Sequence, residues 1–185
     1  MTDWVRAVAD QLAAEGFIAV APDLLSGKGP GGGNADAFQG DAARAAVSKL
    51  APEDVAKRLD AARDYAVHLP AATDKVGVIG FCWGGGMSFM YATHQPGLSA
   101  AVVYYGTPPK DPDALAKIPC PVIGFYGGDD ARVTATVKPT EQHMKDAGKT
   151  YTPHVYDGAG HGFLRQQSGR DGANAKAADQ AWPAT

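Results

Sequence analysis

The sequence predicts an α/β fold built on a mostly parallel sheet. Three observations predict it. Short apolar runs such as KVGVIGF, SAAVVYYG and CPVIGFYGG recur along the chain and read as near-continuous hydrophobic strands, the pattern of strands buried on both faces. Stretches with helical spacing of apolar residues separate them, which argues for crossover connections and a parallel sheet. At 185 residues the chain is long enough to bury a core without disulfides or metals. Residues 1–185 read as a single domain.

The elements follow in order. Trp4, Val5, Val8, Leu12 and Ala13 recur at helical spacing, with Thr2 or Asp3 to cap the start and Gly16 to end it. Phe17–Ala21 (FIAVA), bounded by Gly16 and Pro22, predicts a buried strand. LLSGKGPGGGNADAFQG contains six glycines and must be loop. Pro52, Val55, Leu59, Ala62 and Ala66 predict a long helix with proline in its first turn. Lys75–Phe81 is a strand, GGGMSFMYATH a helix despite its glycines, and SAAVVYYG and CPVIGFYGG two further strands. Val137 to Ala147 reads as a helix, and TYTPHVY as a strand whose proline suits an edge. The stretch Ala173 to Trp182 is helical again.

Composition excludes several function classes. The net charge is −3 and charged residues make up 20%, with no basic stripe for nucleic acid. No apolar run approaches the roughly 20 residues of a membrane span. The first sixteen residues are amphipathic and carry acids, unlike a signal peptide. Two cysteines, Cys82 and Cys120, occur without a CxxC, which fits free thiols in a reducing cytoplasm. SGKGPGGGN does not match the phosphate-loop spacing. The cysteines and histidines are not spaced for zinc, so no metal is expected. Nothing in the sequence specifies an oligomeric state.

The chemistry is concentrated at GFCWGGG, Gly80 to Gly86. Sites in parallel sheets form beyond the carboxyl ends of strands. A strand ending at Cys82 with a helix starting beside it is the strand–turn–helix of a nucleophile elbow, written G-x-C-x-G. Gly80 and Gly84 are expected to let strand and helix approach without an intervening Cβ. The helix N-terminus favours negative charge on the sulfur. The backbone N–H of Trp83 is the expected oxyanion donor. Taken alone, Cys82 is equally well a small buried hydrophobe; the residues downstream tip the balance. The strand IGFYGG ends in Asp129 and Asp130, and TYTPHVY leads into a small-residue loop holding His161. The order nucleophile, acid, histidine is the one this elbow requires. Either aspartate could orient the imidazole, and both could equally be turn formers.

GFCWGGG, FYGGDDARV and GAGHGFLR together resemble the dienelactone hydrolase family of α/β-hydrolases, and the similarity extends over APDLLSG, VVYYG and AADQAW. The resemblance implies an α/β-hydrolase three-layer sandwich. It implies Cys82 as nucleophile, Asp130 as acid and His161 as base. It further suggests that Arg165 binds a substrate carboxylate and that Tyr105 lines the pocket, although an exposed arginine and a core tyrosine are the plainer alternatives. The implied substrate is a lactone or small carboxylic ester. The family type is a dienelactone, an unsaturated lactone bearing a carboxylate that arises in aromatic degradation. No cofactor is needed for that chemistry. A broad-specificity esterase and a non-catalytic remnant are the competing expectations. Family members begin with further strands, the last of which ends in a loop with a glutamate and a second oxyanion donor. This sequence starts at the helix after that loop and stops inside the last helix, so the resemblance implies an incomplete domain.

Overall fold

The computed structural model describes residues 2–185. They form two compact units, one running to Asp74 and the other spanning Lys75–Thr185.

The first unit is helical. Helix α1, Asp3–Ala14, begins where the Thr2 side chain accepts from the Val5 N–H, and the chain leaves it through Gly16 at φ +92°. The next segment departs from expectation. Phe17–Ala21 is neither a strand nor buried: it carries no ladder among the described residues, and Phe17 is 62% exposed. An apolar run becomes a strand only where a neighbouring backbone supplies hydrogen bonds, and no local pattern encodes that neighbour. The glycine-rich segment is loop, as expected, with two single 3₁₀ turns at Pro30–Gly32 and Ala35–Ala37. Asp23 organises it by accepting from the Leu25 and Ala35 N–H groups at 2.9 and 2.8 Å. A short helix α2, Ala42–Val47, follows. Helix α3, Pro52–Val67, has proline at its first position, where the missing N–H removes no helical bond. Lys28 reaches Asp54 on α3 at 2.7 Å, and Arg58 donates to the Ser26 carbonyl at 2.9 Å.

The second unit is a four-stranded parallel sheet flanked by helices on both sides. Its strands are β1 (Gly77–Phe81), β2 (Ala100–Tyr104), β3 (Val122–Gly127) and β4 (Tyr151–Tyr156), side by side in that order. Helix α4, Trp83–His94, joins β1 to β2 and packs on both. A short helix α5, Ala131–Thr134, and then α6, Val137–Asp146, join β3 to β4. Helix α7, Ala173–Ala181, packs against β3. Pro153 sits in β4, at the edge of this sheet, where its missing donor is tolerated.

The core follows the strand sequence. Val103, Tyr104, Val122, Phe125 and Tyr126 are almost wholly buried. Register sets Phe81 beside Tyr104, Tyr104 beside Phe125, and Phe125 beside His154. Their ring centroids lie 5.1, 4.7 and 5.4 Å apart, a row of cross-strand aromatic contacts that fixes the register. The row lies at or near the carboxyl ends of the strands, directly before the loops considered next. Among the described residues, no helix is long and apolar enough to cross a membrane.

Candidate active site

Each strand of the sheet hands the chain to one residue of the site. After β1, Cys82 has φ +57° and ψ −119° and is the N-cap of α4. A cysteine at positive φ is strained, and two backbone bonds hold it: its N–H donates to the Tyr104 carbonyl at 3.0 Å, and its carbonyl accepts from Gly86 at 3.2 Å. The glycines divide the work differently from the sequence expectation. A Cβ at Gly80 would collide with the Gly84 backbone and Ser88 Oγ, whereas one at Gly84 would meet nothing within 4 Å. The second close approach belongs to Gly85, whose Cβ would lie 2.5 Å from the Tyr104 carbonyl and 3.1 Å from Gly106. The clearance is thus needed at Gly80 and Gly85, because the first turn of α4 turns its Gly84 backbone, not a Gly84 Cβ position, toward β1.

After β3, Asp130 is the N-cap of α5, yet its side chain caps nothing there. Its carboxylate, 8% exposed, turns to His161 Nδ1 at 2.5 Å. A buried carboxylate needs such a partner. Asp129 faces elsewhere and pairs with Arg170 at 2.9 Å. Beyond β4, His161 presents Nε2 to Cys82 Sγ at 3.0 Å. Cys82 is exposed. The structure therefore brings Cys82, His161 and Asp130 into one hydrogen-bonded line and leaves Asp129 out of it. Trp83 is the first residue of α4, where helix geometry gives its N–H no intrahelical acceptor.

After β2, Tyr105 is buried with φ +41°. Its ring lies 5.2 Å from the His161 imidazole and 5.4 Å from Phe163, so it packs beneath the histidine. Burial, and then Tyr104 and Cys82, push its hydroxyl far above the usual tyrosine range, with the Arg165 cation acting the other way. Arg165 is exposed, and its backbone N–H donates to Gly162 at 2.9 Å. It stands within electrostatic reach of Tyr105 but outside the hydrogen-bonded line.

Asn174 was not singled out by sequence reasoning. It lies in α7, 2% exposed, accepts from the Gly160 N–H at 2.9 Å and donates to the Gln166 carbonyl at 2.7 Å. The only sequence signal was a single asparagine within an alanine-rich helix. Among the described residues, no cluster of histidine, cysteine and acidic side chains is arranged to hold a metal ion.

A parallel sheet with a positive-φ cysteine between strand and helix, and a histidine and an aspartate beyond later strands, has the fold of the α/β-hydrolases. The model of the dienelactone hydrolase family matches residues 1–185, and the chain belongs to that family. A Methylorubrum extorquens protein provisionally named a carboxymethylenebutenolidase is 35% identical over 170 residues, covering 86% of this chain and 58% of its own length. An Escherichia coli strain K12 protein of the same provisional name is 30% identical over 188 residues, 96% of this chain and 68% of its own. The crystal structure of a provisionally named dienelactone hydrolase from Klebsiella pneumoniae superposes with a TM-score of 0.83 at 28% identity, covering 98% of this chain and 78% of that one. The chain thus spans about six-tenths of the length of the first curated relatives it matches.

Proposed function

We propose that the protein hydrolyses a lactone or small carboxylic ester through a covalent intermediate on Cys82, with His161 as base and Asp130 as its orienting acid. The observation that carries this reading is the line of contacts, Sγ to Nε2 at 3.0 Å and Nδ1 to Asp130 at 2.5 Å. Nucleophile, base and orienter within hydrogen-bond reach are what nucleophilic catalysis needs. Family membership and the names of the relatives support the substrate class.

His161 Nε2 takes the Sγ proton, and the sulfur adds to the substrate carbonyl. The oxyanion that forms is received by the Trp83 N–H at the start of α4. The tetrahedral adduct collapses with cleavage of the C–O bond, and the imidazolium gives its proton to the departing alkoxide. For a lactone this opens the ring and leaves a hydroxy-acyl thioester on Cys82. A water then loses a proton to Nε2 and adds to the thioester. Collapse of the second adduct expels the thiolate, which recovers the proton from His161 and frees the carboxylic acid. Asp130 holds the imidazole in the tautomer with the proton on Nδ1 and stabilises the cation formed in each half. An anionic substrate would place its carboxylate toward Arg165, whose guanidinium suits bidentate pairing.

The test is a quenched reaction with a slow ester, followed by mass spectrometry. The acyl mass should appear on the peptide containing Gly80 to Gly86, and Cys82→Ala should lose both that adduct and the turnover. A Cys82→Ala protein that hydrolyses at the parent rate would refute the mechanism.

A further inference from the structure

We propose that Asn174 is the positioning residue that sets His161 against Cys82, an inference that rests on the hydrolase reading above. His161 lies between Gly160 and Gly162, the latter at φ +76°. A histidine flanked by glycines has many backbone conformations available to it, so its approach to the sulfur has to be imposed from outside. Asn174 imposes it with both ends of one amide. Its Oδ1 receives the N–H of Gly160, the residue immediately before His161, and its Nδ2 donates to the carbonyl of Gln166 five residues after. The loop from 160 to 166 is thereby closed on a side chain that is itself buried in helix α7.

Two further features make the clasp rigid. Within the loop, the Arg165 and Gln166 N–H groups donate back to the Gly162 carbonyl at 2.9 and 3.0 Å. Beside it, Gly169 packs so closely that a Cβ there would lie 3.0 Å from Asn174 Nδ2. The Asp129–Arg170 pair cannot do the same work: both side chains are about half exposed, and such pairs hold geometry weakly. No other residue type reproduces both bonds at this length. Aspartate keeps the acceptor for Gly160 but sets a carboxylate oxygen against the Gln166 carbonyl, and alanine loses both.

The experiment compares the full protein with its Asn174→Ala and Asn174→Asp variants, below their melting temperatures, using p-nitrophenyl acetate. Two readouts are taken: kcat and KM separately, and the downfield proton resonance of the His161 Nδ1–H bonded to Asp130, assigned by its disappearance in His161→Gln. A misplacement of about 1 Å is sufficient for a rate loss of roughly a hundredfold. Asn174→Ala should therefore lower kcat about tenfold to a hundredfold, change KM less than about threefold, and broaden or erase the resonance. Asn174→Asp should fall between it and the parent. A purely structural role would lower the melting temperature but leave kcat per folded molecule and the resonance intact; that result overturns the proposal. If Asn174→Ala does not fold, the aspartate variant decides, and parental kcat with a parental resonance in it overturns the proposal equally. Should Cys82→Ala prove fully active, the hydrolase mechanism fails, whereas the resonance still reports whether Asn174 holds His161.

Discussion

Alanine at Gly80 and alanine at Gly84 should change the protein in opposite directions, although the two glycines stand four residues apart in one motif. A Cβ at Gly80 would overlap the Gly84 carbonyl and carbon and the Ser88 hydroxyl. Two of those three atoms are backbone, in the first turn of a helix packed on β1 and β2, so they cannot swing aside as a side-chain tip would. Relief requires β1 and α4 to separate, and overpacking of this kind costs about 1–3 kcal/mol. In a chain of this size each kcal/mol moves the melting temperature by roughly 2–4 °C, so Gly80→Ala should melt about 2–12 °C lower. The same movement shifts Cys82, which sits between the two elements, and activity should fall with stability. At Gly84 the added methyl meets nothing within 4 Å and occupies a helical position. There, loss of the glycine restricts the unfolded chain and stabilises by up to about 1 kcal/mol, worth at most roughly 4 °C. Thermal melts followed by circular dichroism decide the matter. A Gly84→Ala protein that melts as low as Gly80→Ala, or a Gly80→Ala protein that melts with the parent, would refute the account of the elbow.

The two aspartates after β3 should separate as cleanly in kinetics as in geometry. Asp130→Asn, whose amide no longer accepts as a carboxylate from Nδ1, should lower kcat by about 10³–10⁴-fold; Asp129→Asn, which loses an exposed pair with Arg170, should change kcat less than about threefold. Ester hydrolysis assays on both variants check this. Alkaline pH should destabilise the second unit. Burial pushes the Tyr126 hydroxyl up to about 12 from 10, and it is bonded to Tyr151 at 2.7 Å. The folded state thus keeps a proton that the unfolded chain gives up above pH 10. The stabilisation is complete below pH 10 and is lost as pH rises toward about 12. Urea midpoints measured across that window should fall with pH, and less steeply in a Tyr126→Phe, Tyr151→Phe double variant.

What the sequence discloses, and what it conceals, follows from where the determining contacts lie. The strand ends are legible because an apolar run stops at Gly80–Gly86, at Gly127–Asp130 and at Tyr156–His161, and a parallel sheet collects such ends along one edge. Helices α1 and α3 are legible from their own start signals, the capping Thr2 and the first-turn Pro52. Phe17–Ala21 misleads because its composition is that of a strand, whereas a strand is a relation to a neighbour. Asp129 and Asp130 are indistinguishable as adjacent letters. They differ in which way the backbone turns into α5, and so in whether the carboxylate meets His161 or Arg170. The sequence assigns the close approach to Gly84 rather than Gly85 for the same reason, since only the rotation of α4 against β1 decides which glycine faces a backbone. Asn174 lies thirteen residues beyond His161 and has no local pattern at all; its role depends on α7 reaching the Gly160 and Gln166 backbone.

The strain at Cys82 is the strongest argument that this cysteine is more than packing. Positive φ in a side-chain-bearing residue costs on the order of 1–3 kcal/mol and persists only where the surroundings over-determine it. Cys82 has such surroundings on every side: the Tyr104 carbonyl on its N–H, the Gly86 N–H on its carbonyl, and close backbone contacts at Gly80, Gly85 and Gly106. A cysteine retained for burial would gain nothing from this arrangement, because the residue at the turn is exposed. Cys120 shows the contrast within the same molecule. It is buried, burial pushes its thiol up, and its φ is unremarkable. The two thiols should therefore differ in chemistry as they differ in setting. Iodoacetamide at neutral pH should label Cys82 well before Cys120, with labelling of the native protein read by peptide mass spectrometry. Equal rates at the two sites would mean that the strained turn and the His161 contact confer no reactivity, and would remove the main support for Cys82 as the nucleophile.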